Sequence, residues 1–185
     1  MKSSTMRFLA VGLLLFGTGC GKDGTAKIRG EFEGNWQGPC SSNRYTVYRF
    51  DGSLLTIESN VFSDAGCTSP KSLRTRTAPY TITGESPDVP GAKMVSEVAG
   101  ATYETPLTQA AVDSFNSTSF CGFTDWQLDV PQETTGLTCG GSQIPAAGSL
   151  RYNIFQLEAA GTLRSGAVSV TTMPTALTAN VYTKF

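Results

Sequence analysis

A mainly antiparallel, all-β domain of about eight strands with one short helix is the fold this sequence predicts, and three observations carry it. Apolar and polar residues alternate through Ser53 to Phe62, Asp51-Gly52 separates two β-rich runs, and only one stretch, Leu107 to Phe115, repeats its apolar residues at helical spacing. Such strands build a sandwich or a barrel. An open sheet leaves exposed edges, whereas closure into an up-and-down eight-stranded β-barrel removes them.

Each element has a local reason. Residues 20–33 (Gly21 to Glu33 after the cysteine) are rich in glycine and mixed in charge, with only Ile28 and Phe32 to bury. They read as a flexible tether reaching on the order of 20 Å, which leaves 34–185 as a single domain. Arg44 to Phe50 and Ser53 to Phe62 form a hairpin, because Asp-Gly supplies the positive φ values of a tight turn. Ser63 to Pro70 is a loop by composition. Leu73 to Thr77 and Tyr80 to Thr83 are strands interrupted by Pro79, which belongs at an edge, bend or bulge. Pro87 to Gly91 turns the chain into an alternating strand over Lys93 to Tyr103. The helix follows Pro106. Phe123 to Val130 reads as a strand, Pro131 to Ser149 as a long loop, and Leu150 to Glu158, Leu163 to Thr171 and Ala176 to Phe185 as the last strands.

Composition excludes several chemistries. There is no histidine, so Ser/His/Asp and Cys/His catalysis and histidine-built zinc sites are excluded. The cysteines show no C-x-x-C spacing, and no cofactor is expected. The most tempting carboxylate pair, Asp125 and Asp129, would lie about 13 Å apart on a strand, beyond the roughly 5–10 Å of a glycosidase pair. With residues 1–19 removed, 12 basic residues face 15 acidic ones, a net charge of −3. No basic stripe is available for nucleic acid. The one local cluster is Lys71, Arg74 and Arg76, of which only Arg74 and Arg76 share a strand face; a solvated surface is the expected setting.

The first 19 residues have the parts of an export signal: Lys2 and Arg7, the apolar run Phe8 to Phe16, and the small residues Gly17-Thr18-Gly19 before Cys20. That apolar run is too short to span a bilayer of roughly 30 Å. Five cysteines are present, and an odd one in an exported chain needs an explanation. Assigning Cys20 to lipid leaves four. Among their three pairings, Cys40 with Cys67 and Cys121 with Cys139 each bracket one local unit and are expected.

Leu14-Leu-Phe-Gly-Thr-Gly-Cys20 resembles the lipobox of bacterial envelope lipoproteins. The resemblance implies an acylated Cys20 at the mature amino end and, with no Asp at position 21, anchoring in the outer membrane. Gly17-Thr18-Gly19 also suits ordinary signal peptidase, so secretion is the alternative. Gly34-Asn35-Trp36, just before the first hairpin, resembles the Gly-x-Trp motif that opens the lipocalin barrel, whose tryptophan plugs the closed end. In that family an arginine of the last strand commonly covers the tryptophan; here Lys184 is the residue available.

A lipocalin-like lipoprotein implies a non-catalytic, monomeric barrel with room for a small apolar ligand. The interior candidates are Trp36, Tyr45, Val47, Leu55, Ile57, Met94, Val98, Trp126, Leu128, Phe155 and Leu157. Trp36, Tyr45, Trp126 and Phe155 are the expected ligand contacts. The alternative is a barrel filled by its own side chains, serving as a structural or protein-interaction lipoprotein of the envelope.

Overall fold

The computed structural model describes residues 30–185; Cys20, the expected signal segment and the expected tether up to residue 29 lie outside them. Eight strands close into an antiparallel barrel: β1 (Gly34–Gln37), β2 (Arg44–Asp51), β3 (Leu54–Phe62), β4 (Pro70–Glu85), β5 (Lys93–Val98), β10 (Leu150–Leu157), β11 (Thr162–Gly166) and β12 (Leu177–Lys184). Each pairs with the next, and β12 returns to β1 through Trp36 opposite Lys184 and Gln37 opposite Thr183. This is the up-and-down barrel that the alternation and turn spacing predict.

Residues 99–149 are an insertion between β5 and β10. It holds β6 (Thr102–Pro106), α1 (Gln109–Ser117), a 3₁₀ turn (Phe120–Gly122) and the two-residue strands β7 (Gln132–Glu133), β8 (Thr138–Cys139) and β9 (Ser142–Gln143). The insertion is spliced into the barrel wall. The first half of the 16-residue β4 pairs with β6, and its second half with β5. The exchange falls at residues 77–80, where Gly100 N–H donates to the Thr77 carbonyl and Thr77 N–H to Ala101. Pro79, exposed and without an N–H, sits at this junction, so Leu73–Thr77 and Tyr80–Thr83 are one continuous strand rather than two. Likewise Lys93–Tyr103 is not continuous. It breaks at 99–101, where the partner changes.

The lumen is divided along its length. At the end carrying the Asp51–Ser53, 86–92 and 158–161 turns, Phe32, Trp36, Tyr48, Phe50, Leu55, Tyr80, Ile82, Val95, Phe155, Leu163 and Tyr182 form one buried cluster. Phe32 belongs to it although it precedes β1, and its carbonyl accepts from the Trp36 indole at 2.8 Å. Phe32, expected in the tether, therefore packs with the barrel. Lys184 Nζ lies 5.4 Å over the Trp36 ring, so a lysine makes the contact for which the resemblance offers an arginine.

Several expected inward residues face outward. Directly paired residues of an antiparallel ladder share a face, and Trp36, Tyr48, Ile57 and Arg76 are paired in succession across four strands. Tyr45 and Val47 are therefore on the outer face of β2. Val95 and Glu97 point inward from β5, which puts Met94 and Val98 outside. Leu157 lies exposed at the end of β10.

The expected strand over Phe123–Val130 does not form. Trp126 turns into a second core with Val112, Phe115, Cys121, Cys139 and Ile144, leaving Leu128 and Val130 exposed. The Asn116 side chain takes the place of a neighbouring strand: its Oδ1 accepts from Trp126 N–H at 2.7 Å and its Nδ2 donates to the Trp126 carbonyl at 3.1 Å. Asp129 adopts φ 58°, which no strand accommodates. The helix begins two residues later than expected because Thr108 caps it, its side chain accepting from Ala111 N–H at 3.1 Å. Of the expected loop 131–149, six residues pair as β7, β8 and β9, and the expected strand from Leu163 ends at Gly166.

Both expected disulfides are present. Cys40–Cys67 joins the β1–β2 and β3–β4 loops at the barrel's open end, and Cys121–Cys139 staples the insertion. Phe115 stacks on Phe120 at 4.3 Å and meets Trp126 edge-on at 5.2 Å beside that second bridge. Replacing Cys121 and Cys139 together by alanine should cost about 2–5 kcal/mol. Limited proteolysis should then cut within 131–149 while the barrel core stays intact, and unchanged cutting would show the bridge to be without structural role.

Candidate functional site

The expected ligand contacts are not brought together. Trp36 and Phe155 are packed in the base of the barrel, where Phe155 meets Phe32, Tyr48 and Phe50 at ring distances of 5.2–6.0 Å. Trp126 lies in the insertion's own core. Tyr45 is on the outer wall, 5.2 Å from Phe62. The base is filled with side chains, and the ligand-sized space lies at the other end, under the insertion.

Two adjoining cavities occupy that end. One of about 350 Å³ is lined by Ile57, Ser59, Arg74, Arg76, Thr102 and Arg151 from the barrel and its β6 extension, with Ser142–Pro145 and Val170 closing over it. The second, about 260 Å³, shares Ser59, Arg74 and Ser142 and adds Arg44, Lys71, Glu104, Phe115 and Phe120. The first is at the small end of the roughly 300–1,000 Å³ typical of ligand pockets.

Register explains why these walls are charged. Arg74 and Arg76, two residues apart on β4, share a face as the sequence predicts, but that face is the lumen rather than the solvated surface expected. Neighbouring strands supply their partners. Arg76 sits opposite Thr102, Arg74 opposite Glu104, and Glu97 opposite Arg151. Arg76 Nη2 donates to Glu97 Oε1 at 2.9 Å, and Arg151 Nε lies 3.3 Å from the same oxygen. Arg74 Nε donates to Glu104 Oε2 at 2.7 Å, and Ser72 Oγ to Glu104 Oε1 at 3.0 Å. Glu97 and Arg76 are deeply buried, their side chains 2% and 8% exposed. Burial holds the Arg151 guanidinium below its usual pKa, and the adjacent Arg76 charge adds to that; Glu97 opposes both. Tyr48 marks the boundary with the base, its phenol pushed far above its usual pKa by burial first and by Tyr182 next.

The rim is held separately. Asp64 accepts from the backbone N–H groups of Gly66, Thr68 and Ser69, which fixes the loop that carries Cys67. These bonds, Ser69's foremost, hold its carboxyl below the usual carboxylate range. Among the described residues, no three or more His, Cys, Asp or Glu side chains converge as a metal site. Asp125 and Asp129 are both exposed on the irregular segment around Trp126.

Sequence reasoning missed the arginine cluster. The available signal was the spacing of Arg74 and Arg76, two cations on one strand face, followed by Glu97 and Glu104 on the later strands. No protein-family model matches this chain, and no curated protein matches it either.

Proposed function

We propose that this protein is a non-catalytic, lipid-anchored barrel of the bacterial cell envelope that holds a small ligand at its open end. The observation that carries the binding reading is the division of the lumen: side chains pack the base, while the covered mouth keeps cavities of about 350 and 260 Å³ with apolar and charged walls. Both disulfides suit an oxidising compartment. The lipobox-like stretch ending at Cys20 supports the anchor, and the Gly34-Asn35-Trp36 opening with Lys184 over the indole supports kinship with lipocalins. The protein acts as a monomer, without a nucleic-acid partner or cofactor, in the outer membrane.

Native mass spectrometry after gentle extraction tests both halves, reading the acyl mass on Cys20 and any co-purified small molecule. A bare protein whose mouth holds water alone would favour the alternative, an envelope lipoprotein acting through its outer surface. Cys20→Ser should release soluble protein or leave unprocessed precursor, as cell fractionation reads directly; unchanged membrane attachment would remove the anchor from this reading.

A further inference from the structure

We propose that the barrel mouth takes a small carboxylate bearing a short apolar chain, with Arg76, Arg151 and Thr102 receiving the carboxylate and Ile57, Ile144 and Val170 flanking the chain. This rests on the reading of the mouth as a ligand site and adds the chemistry of the ligand.

Charge distribution is the first argument. Residues 30–185 carry 9 Lys and Arg against 14 Asp and Glu, yet five of those nine cations, Arg44, Lys71, Arg74, Arg76 and Arg151, line the two cavities. The carboxylates paired with them are Glu104 and Glu97. An acidic domain thus places more than half of these cations around two adjoining hollows, an arrangement that attracts and holds anions.

Unmet hydrogen bonding is the second and independent argument. Arg76 Nη1 and Thr102 Oγ1 are buried and have no hydrogen-bond partner, Arg151 Nε has only its 3.3 Å approach to Glu97, and all three residues line the larger cavity. Arg76 is 7% exposed. A guanidinium keeps its proton and only donates, so its open positions call for an acceptor. An orphaned buried donor of this kind is destabilising until an acceptor reaches it. Two guanidiniums meeting at one Glu97 oxygen leave one positive charge at the deep end of the cavity. A carboxylate balances it, and its two oxygens suit the fork of donors. Phosphate, with more than one negative charge, overfills that balance. Ile57, Ile144 and Val170 make part of the wall apolar, which a headgroup alone would leave uncovered.

Isothermal titration of the full chain carrying Cys20→Ser distinguishes the possibilities, with octanoate, octanol and acetate as probes. Octanoate should bind at least about tenfold more tightly than octanol, which lacks the charge, or acetate, which lacks the chain; tenfold corresponds to about 1.4 kcal/mol. Arg151→Gln should remove most of the octanoate advantage, and Thr102→Val should weaken octanoate about threefold or more, both weakening octanol less. Circular dichroism reports whether each variant folds. If Arg151→Gln does not, Thr102→Val and the wild-type comparison decide. Equal binding of octanoate and octanol would overturn the carboxylate while leaving the mouth as a ligand site. Binding of none of the three, together with a bare protein in native mass spectrometry, would overturn both.

Discussion

Phe155→Ala should lower the free energy of unfolding by about 3–5 kcal/mol, a fall in Tm on the order of 10 °C for a domain of this size. Phe155 is fully buried and is the ring on which Phe32, Tyr48 and Phe50 converge from the pre-barrel segment and β2. Truncation leaves a void walled by aromatic rings held in place by the pre-barrel segment and β2, so the surroundings have little freedom to collapse into it. Leu150→Ala on the same strand provides the contrast: Leu150 is 51% exposed and should shift stability by only about 0.5 kcal/mol. Urea unfolding with both disulfides intact measures both. Equal, small effects would mean that the aromatic base is not the barrel's main source of stability.

Glu97→Ala should be of similar size, about 3–5 kcal/mol, for a different reason. Glu97 is the carboxylate that Arg76 and Arg151 share, and the side chain is 2% exposed. Its loss leaves two guanidiniums side by side in a low-dielectric interior. Neither can lose its proton, and Arg76 remains buried. Glu58→Ala, which breaks the more exposed Arg49–Glu58 pair of β2 and β3, should cost only about 0–1 kcal/mol. Should the two variants melt together, water must reach the mouth freely and the charge cluster would contribute nothing particular to it.

The fold was legible where one face of a strand is wet and the other dry. Leu54–Phe62 alternates because the barrel wall divides lumen from solvent, and Asp51-Gly52 marks its hairpin because Gly52 needs φ 55°. Cys40 and Cys67 bracket that hairpin in space as in sequence. Legibility failed where the inner face turns polar. Tyr45 and Val47 resemble core residues by hydrophobicity, but Tyr48 and Phe50 are the ones turned inward, and a slip of one residue exchanges the two sets. Arg76 and Glu97 were obscured for the same reason: a charge on an alternating strand reads as solvent-facing until its partner, 21 residues away, is placed opposite it. Trp126 has no such excuse in pattern. Its neighbours satisfy a strand template, and only the long-range bracket by Asn116 and the bridge to Cys139 pull it into a separate core.

The seam between β1 and β12 sets an order of events for a nascent chain. Every other wall contact joins strands that are neighbours in sequence or are separated by the one insertion, so hairpins such as β2–β3 can form while the chain is still emerging. Trp36 must wait for Lys184, 148 residues later, before its strand gains a second neighbour and its indole a cation. Until then the molecule is a curved ribbon with raw edges at β1 and β11, templates for pairing with any passing strand. Completion of the barrel thus waits for β12. The last eight-residue strand acts as a latch, and escort by a chaperone is needed most in the interval before it arrives.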